Sequence, residues 1–454
     1  MSVKKLLPKI CLFFGLLSAC HLQKQDAPKT LIHTKDYEVF FKKMTSAQEN
    51  LSAINQEIEF WASRIRRGNH SHLYYNKVAS QLAKRFRVSG DPSDLHQSDS
   101  LLRAADSIAV HQHVGSLHNL VYNAITQHKF QEALNLGLKA EKIGERRYIS
   151  HLLLTDIHQE LGNLTLASNY LAKLPNKGSF DYLVRKSKLT DAQGNLDSAI
   201  FYMEQALAKV SPKSQNDLYY WAKSNLGDMY GHQGEVQKSY KAYLEVLNFN
   251  PNNYHVWKGI AWIAFSHDQN TTEAKRIIQR ILHNTRMPDL HLMLAEIAEF
   301  EGDQQTVETQ LQAFKAEISK KEYGNMYLSP LAKLQADYLK NYEEALKIAR
   351  KEIQNRPNAT SYALNAWILH LKGQSSAALK IAQEFVEGYT EEPEVMYQLG
   401  IIFKANGKHE QAEKFLEQAH ESSFELGPVL SQQIEKELKS LRKSEGIAQA
   451  ISSK

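Results

Sequence analysis

Cysteine is nearly missing from this chain. Only Cys11 and Cys20 occur in 454 residues, so everything beyond residue 20 lacks a thiol to form a disulfide, ligate zinc or attack a substrate. Proline is scarce too, with 11 copies, which leaves room for long uninterrupted helices. Phosphate-binding glycine loops of the GxGxxG or Walker type are absent, as are a GxSxG elbow and an HExxH helix. With those motifs goes every named basis for catalysis, and the chain reads as a non-enzyme with no cofactor and no metal. Charge of one sign is lacking as well. The formal +5 includes Lys4, Lys5 and Lys9, and without them the remainder carries +2, which is no electrostatic footprint for nucleic acid.

What is present begins at the amino end. Met1 to Lys9 is a basic opening, and Ile10 to Leu17 is an apolar run far shorter than the roughly 20 residues that span a bilayer. Leu17-Ser18-Ala19-Cys20 follows at once. These four residues resemble the lipobox of bacterial lipoproteins. The resemblance implies cleavage before Cys20, a diacylglyceryl group on its thiol and acylation of the new amino terminus. Two or three chains, at about 0.8 kcal/mol per buried methylene, anchor a protein stably where one does not. Residues 1–19 are therefore expected to be a signal peptide and 20–35, polar and irregular, a short lipidated tether. His21 stands where an Asp often retains lipoproteins at the inner membrane, which favours the outer membrane of a bacterial envelope.

One short phrase recurs: LGNLTLA at 161–167, QGNLDSA at 193–199, QGEVQKS at 233–239, EGDQQTV at 301–307, KGQSSAA at 372–378 and NGKHEQA at 406–412. The glycines lie 32, 40, 68, 71 and 34 residues apart, mostly near 34 or twice that. Five places after each stands a slim residue: Ala167, Ala199, Ser239, Val307, Ala378 and Ala412. Copies without the glycine start at His128, near Asn270 and at Asn341. The pattern resembles the tetratricopeptide repeat, a helix-turn-helix of about 34 residues. The clearest copy, 220–253, has Leu226-Gly227 and Tyr230 in its first helix, Gly234 in the turn, Ser239 and Tyr243 in the second helix, and Pro251 at the end. Glycine supplies the positive φ that ends the first helix, the slim residue lets two helices approach, and proline stops the second.

The resemblance implies an all-α, right-handed superhelical solenoid of antiparallel helix pairs. About nine units are expected over 114–427, preceded at 36–113 by a helical cap around Tyr37 to Arg66 and a degenerate unit with its turn at Ser89 to Pro92. A C-terminal capping helix and tail complete the chain at 428–454.

Candidate chemistry is sparse. Among 19 histidines, His70 with His72, and His111 with His113 and His118, form local groups, but neither has the spacing of three or four that places ligands on one helical face. The basic runs 64–67 and 84–87 suit anionic surfaces, yet read better as solvated helical faces. In the resembled family the groove is lined by first-helix positions that do not pack on the second helix. Carried through this register, they are Tyr122, Trp221, Asp228, His232, Lys258, Trp262, Phe265, Glu296, Trp367, His370, Tyr397 and Lys404. About half are expected to be exposed and the rest to join the core between units. Ser224 and Asp228 stand where a carboxylate-clamping groove wants Lys and Asn. The first expectation is thus a membrane-anchored scaffold that grips a protein or peptide partner. The alternative is a binding component for a small solute, glycan or metal ion.

Overall fold

The computed structural model describes residues 30–452 apart from 69, 111 and 112, so the expected signal, Cys20 and most of the tether lie outside the described residues. Among the described residues there are helices and connecting turns but no strand. First helices of successive pairs begin at Val114, Arg147, Phe180, Asn216, Tyr254, Asp289, Leu328, Ala359 and Pro393. Each packs on the helix that follows it, and some neighbouring first helices also touch, as Val114–Thr126 does Arg147–Glu160 and Ala359–Leu371 does Pro393–Ala405. Helices His72–Ser89 and Ser93–Ile108 make a further pair ahead of these.

The recurring phrase builds the turn inside each pair. Gly162, Gly194, Gly234, Gly302, Gly373 and Gly407 have φ between 73° and 86°. Backbone N–H groups just past the glycine then close onto the last helical turn, as from Asn163 to His158 O at 2.8 Å and from Asn195 to Thr190 O at 2.9 Å. Those bonds satisfy carbonyls that a helix end leaves orphaned. Five residues on, Ala167, Ala199, Ala378 and Ala412 are fully buried, which is the close helix approach that a slim side chain permits.

Where the glycine is missing, another residue takes its conformation. His128, Gln269 and Lys340 have φ of 52° to 53°, a left-handed state that costs a residue with a Cβ about 1–2 kcal/mol. Two of these three turns also follow a π-helical stretch, Ile263–His267 and Leu334–Tyr338. There the closing bonds run from Asn270 to Ala264 O at 2.7 Å and from Asn341 to Gln335 O at 2.8 Å, one residue longer than in the glycine turns. The extra residue rotates the end of the helix. Phe265, expected in the groove, is thereby turned inward and has no exposed surface; it meets Trp262 and Phe300, each at 5.7 Å between ring centroids.

The array coils back on itself. Arg286 N bonds to Ser89 O at 3.0 Å, Asn355 Nδ2 to His128 O at 2.7 Å, and Asn358 Nδ2 to Glu160 O at 3.1 Å. His232 lies 3.5 Å from Glu425. Many of these contacts join residues 195 to 198 apart in sequence, so the turn of one pair regularly meets a junction several pairs later. The spiral is therefore closed along a polar seam rather than spread as an open ramp.

Both ends of the described residues are used in this closure. Residues 31 and 32, expected in the tether, are pinned: the N–H groups of Leu31 and Ile32 donate to the Asp268 carboxylate at 3.0 and 2.7 Å. Helix Thr34–Lys43 follows and sets Tyr37 and Phe41 against Trp257, with ring centroids 5.6 and 4.5 Å apart. The expected single amino-terminal helix is thus two, since Ala47–Arg66 is separate, with a capping box at Ser46 and Glu49. At the far end, Ser423–Ser452 is two helical pieces kinked at Gly427; the later piece buries Ile434, Leu438 and Leu441 against the last pair, while the residues before the kink reach the wall around Trp262.

Candidate functional site

Second helices of the pairs carry their apolar stripe toward the first helices, which leaves one face of each first helix for the inside of the coil. Four expected groove residues, Trp262, Glu296, Trp367 and Tyr397, converge there on a single cavity of about 780 Å³. Each comes from a different pair, so no local stretch of sequence displays the group. The wall is completed by Asp337 and Tyr338 from the second π segment and by Leu426 and Leu430 of the C-terminal helix.

The aromatic wall is held by specific contacts. Trp367 Nε1 donates to Asp337 Oδ1 at 2.9 Å, and its ring lies 5.8 Å from Tyr397 and 5.6 Å, nearly parallel, from His370. Trp262 Nε1 donates to the Phe424 carbonyl at 3.0 Å, to which Ser266 Oγ also donates at 2.6 Å. Beyond that carbonyl the chain must turn sharply under the wall. Gly427 does so with φ 76°, and a Cβ there would lie 2.6 Å from Glu296 Oε1 and 2.9 Å from the Trp262 ring.

Charge inside the cavity is strongly one-sided. Glu296, Glu299, Asp337, Glu392, Glu394 and Glu425 line it, against Lys333 and Lys340. Lys333 is taken by Glu394, and Lys340 bonds to a backbone carbonyl. Tyr338 OH donates to Glu299 at 3.0 Å. Glu296 makes no hydrogen bond or ion pair among the described residues. Burial, followed by the charges of Glu299 and Glu394, raises its carboxyl to about 8. Burial also raises Asp337 and Glu425, the hydrogen bond from Trp367 and the nearby His232 respectively opposing it. Each of these carboxylates sits where a cation would relieve it.

The other expected groove residues lie elsewhere. Tyr122 is 46% and Trp221 39% exposed, and His232 is exposed at the seam. Tyr122 lines a separate cleft with Ala79, Phe86 and Asn119, and Trp221 faces Phe180 at 6.3 Å. Asp228 is committed to the fold, accepting from Tyr243 OH at 2.6 Å and lying 2.8 Å from His255 Nε2. Lys258 pairs with Asp289, and Lys404 pairs with Glu437 of the C-terminal helix at 2.6 Å. Fewer stand fully open than expected, because neighbouring pairs and that helix cover them. The carboxylates Glu299, Asp337, Glu392, Glu394 and Glu425 escaped the sequence reading: Asp337 depends on the π turn, and Glu392, Glu394 and Glu425 stand at the start of or before their helices.

Among the histidines, the structure joins members of the two sequence groups, with His72 and His113 rings 4.7 Å apart. His118 is buried against Ser150 at 2.9 Å, and burial lowers it to about 4. His70 bonds to Tyr75 OH at 3.1 Å, while His111 lies outside the described residues. No three or more metal-capable side chains gather among the described residues. Arg85 of the second basic run is half-buried on Asp94 at 2.6 Å, a structural ion pair rather than a docking charge.

Stacked helix pairs closed by a recurring turn, with a lined interior and a capping helix, define a helical-repeat scaffold. Residues 393–424 match the family model described as tetratricopeptide repeat, and helix pairs of similar length recur through the array. A TPR repeat-containing protein of Methanocaldococcus jannaschii is 22% identical over 311 residues, 68% of this chain and 50% of that protein. The chain thus spans about half the length of the curated relative it matches. Among solved structures, a tetratricopeptide repeat protein from Parabacteroides merdae is 19% identical, covering 58% of this chain and 98% of its own, with a TM-score of 0.34. Yeast Tom70 is 10% identical, covering 93% and 100%, with a TM-score of 0.36.

Proposed function

We propose that this protein is a lipid-anchored scaffold of a bacterial envelope that grips a segment of a protein partner inside its coil. The observation that carries the gripping half is the convergence of Trp262, Glu296, Trp367 and Tyr397, from four separate pairs, on one cavity. Large rigid aromatic faces give contact area at little entropic cost, which is how partner segments are held. Support for the anchoring half is the Leu17 to Cys20 sequence alone; no described helix is long and apolar enough to cross a membrane.

Two measurements test the reading separately. A photo-cross-linking residue placed at Tyr397 of the full chain, in its native membranes, is expected to capture one protein partner reproducibly, and the same residue at exposed Phe201 is not. Failure to enrich any protein at 397 over 201 overturns the scaffold. Mass spectrometry of the mature amino terminus is expected to find an acylated Cys20, and an unmodified or different terminus overturns the anchor.

A further inference from the structure

Resting on that scaffold reading, we propose that the cavity between Trp262, Trp367 and Tyr397 takes a basic segment of the partner, its lysine or arginine side chains set between the aromatic faces and the carboxylates of Glu296 and Asp337. The cavity, not the acidity alone, is the starting point. Its volume of about 780 Å³ has room for a few side chains. Its walls are rings, and a cation over a ring face is attracted by the ring's quadrupole, more strongly once water is displaced.

Charge then selects the occupant. Six carboxylates face two lysines in the lining, and both lysines are already engaged, with Glu394 and with the Asp337 backbone. Asp337 receives only the neutral donor of Trp367, and Glu296 receives nothing. An acidic or neutral segment would leave these groups desolvated without compensation, whereas an ammonium or guanidinium supplies the missing donors. A guanidinium also stacks flat on an indole, which the Trp367 face beside Tyr397 permits.

Protonation gives the inference a second signature. Lining the cavity with Glu296 are Glu299 on its own helix, Lys333, Asp337, Tyr338 and Lys340 from the pair begun at Leu328, Glu392 and Glu394 at the start of the pair begun at Pro393, and Glu425. A cation bound among them favours their ionised forms, so binding releases protons and tightens as pH rises through 8.

The test uses the purified full chain in detergent and three probes: a capped peptide alternating lysine and serine, the same peptide with glutamate for lysine, and spermidine. Binding is read by calorimetry and by tryptophan fluorescence. The lysine peptide is expected to bind and to perturb the fluorescence, at least tenfold more tightly at pH 8.5 than at pH 6. The double variant Glu296→Gln, Asp337→Asn is expected to lose at least tenfold, with its thermal unfolding measured alongside to show that the fold persists. Equal binding of the glutamate peptide, or an unchanged affinity in the double variant, overturns the proposal. Binding of spermidine without the peptide overturns it too, leaving a small-amine site. If the double variant does not fold, Trp367→Ala alone decides: retained peptide affinity overturns the proposal and a tenfold loss supports it. A partner cross-linked at 397 together with no binding of the lysine peptide would sink this inference while leaving the scaffold standing.

Discussion

Turns closed by glycine and turns closed without it perform the same task in this molecule, and their difference sets where the interior is. At Gly162, Gly194, Gly234, Gly302, Gly373 and Gly407 the left-handed residue carries no Cβ and the helix ends on schedule. At Gln269 and Lys340 a side chain accepts that backbone, and the helix before it holds one residue more. π segments of this kind are often found at functional sites. Here both flank the cavity: one follows Trp262 directly, and the other supplies Asp337 and Tyr338. The regular turns build the array, and the two irregular ones re-aim the side chains within it.

Phe265→Ala should break this comparison most sharply. If the π segment has turned Phe265 into the core, truncation costs about 3–5 kcal/mol in urea denaturation, whereas a loss under about 1 kcal/mol would return Phe265 to the groove surface.

The next effect is on pH dependence. Glu296 in the folded chain titrates at about 8, above its value of roughly 4.3 in an unfolded chain. Between those values only the folded state holds the proton. The contribution of this group is therefore fully present below the unfolded value and is lost as pH rises through about 8. Urea midpoints at pH 5 and 8.5 should differ less for Glu296→Gln than for the wild type, with the variant the more stable at pH 8.5. Parallel pH profiles would refute the assignment.

Gly234→Ala comes third. Nothing lies within 4 Å of the added Cβ, so only the left-handed backbone opposes it, at about 1–2 kcal/mol. The smallest change is the reverse exchange. Lys340→Gly removes the same strain but adds freedom to the unfolded chain, for a net gain of about 0.5 kcal/mol. A loss there would mean that Lys340 matters through its contact with the Asp337 backbone rather than through its φ.

Much of this was legible in the residues. Gly162 and Ala167 announce a turn and a close helix approach within seven positions, and that local chemistry recurs often enough to define the array. Register assigns Trp262, Glu296, Trp367 and Tyr397 one face, and the structure gathers them at one cavity. Phe265 was misplaced because register assumes a uniform helix, and no side chain in Ile263–His267 signals an inserted residue. The seam was invisible for another reason: His128 and Asn355 are 227 residues apart, and the meeting of a carbonyl with an amide leaves no periodic trace. A helical cap around Tyr37 was expected, but nothing local shows that Trp257 meets Tyr37 and Phe41.

The pinning of Leu31 and Ile32 on Asp268 bears on how the molecule comes apart. A row of repeats touching only its neighbours frays from either end, one unit at a time. This row is stapled crosswise, its first described residues fastened to Asp268 in its middle and its last segment to Trp262. Loss of an end therefore exposes the centre, and the chain should melt as a single cooperative body, having first had to bring distant segments together to form.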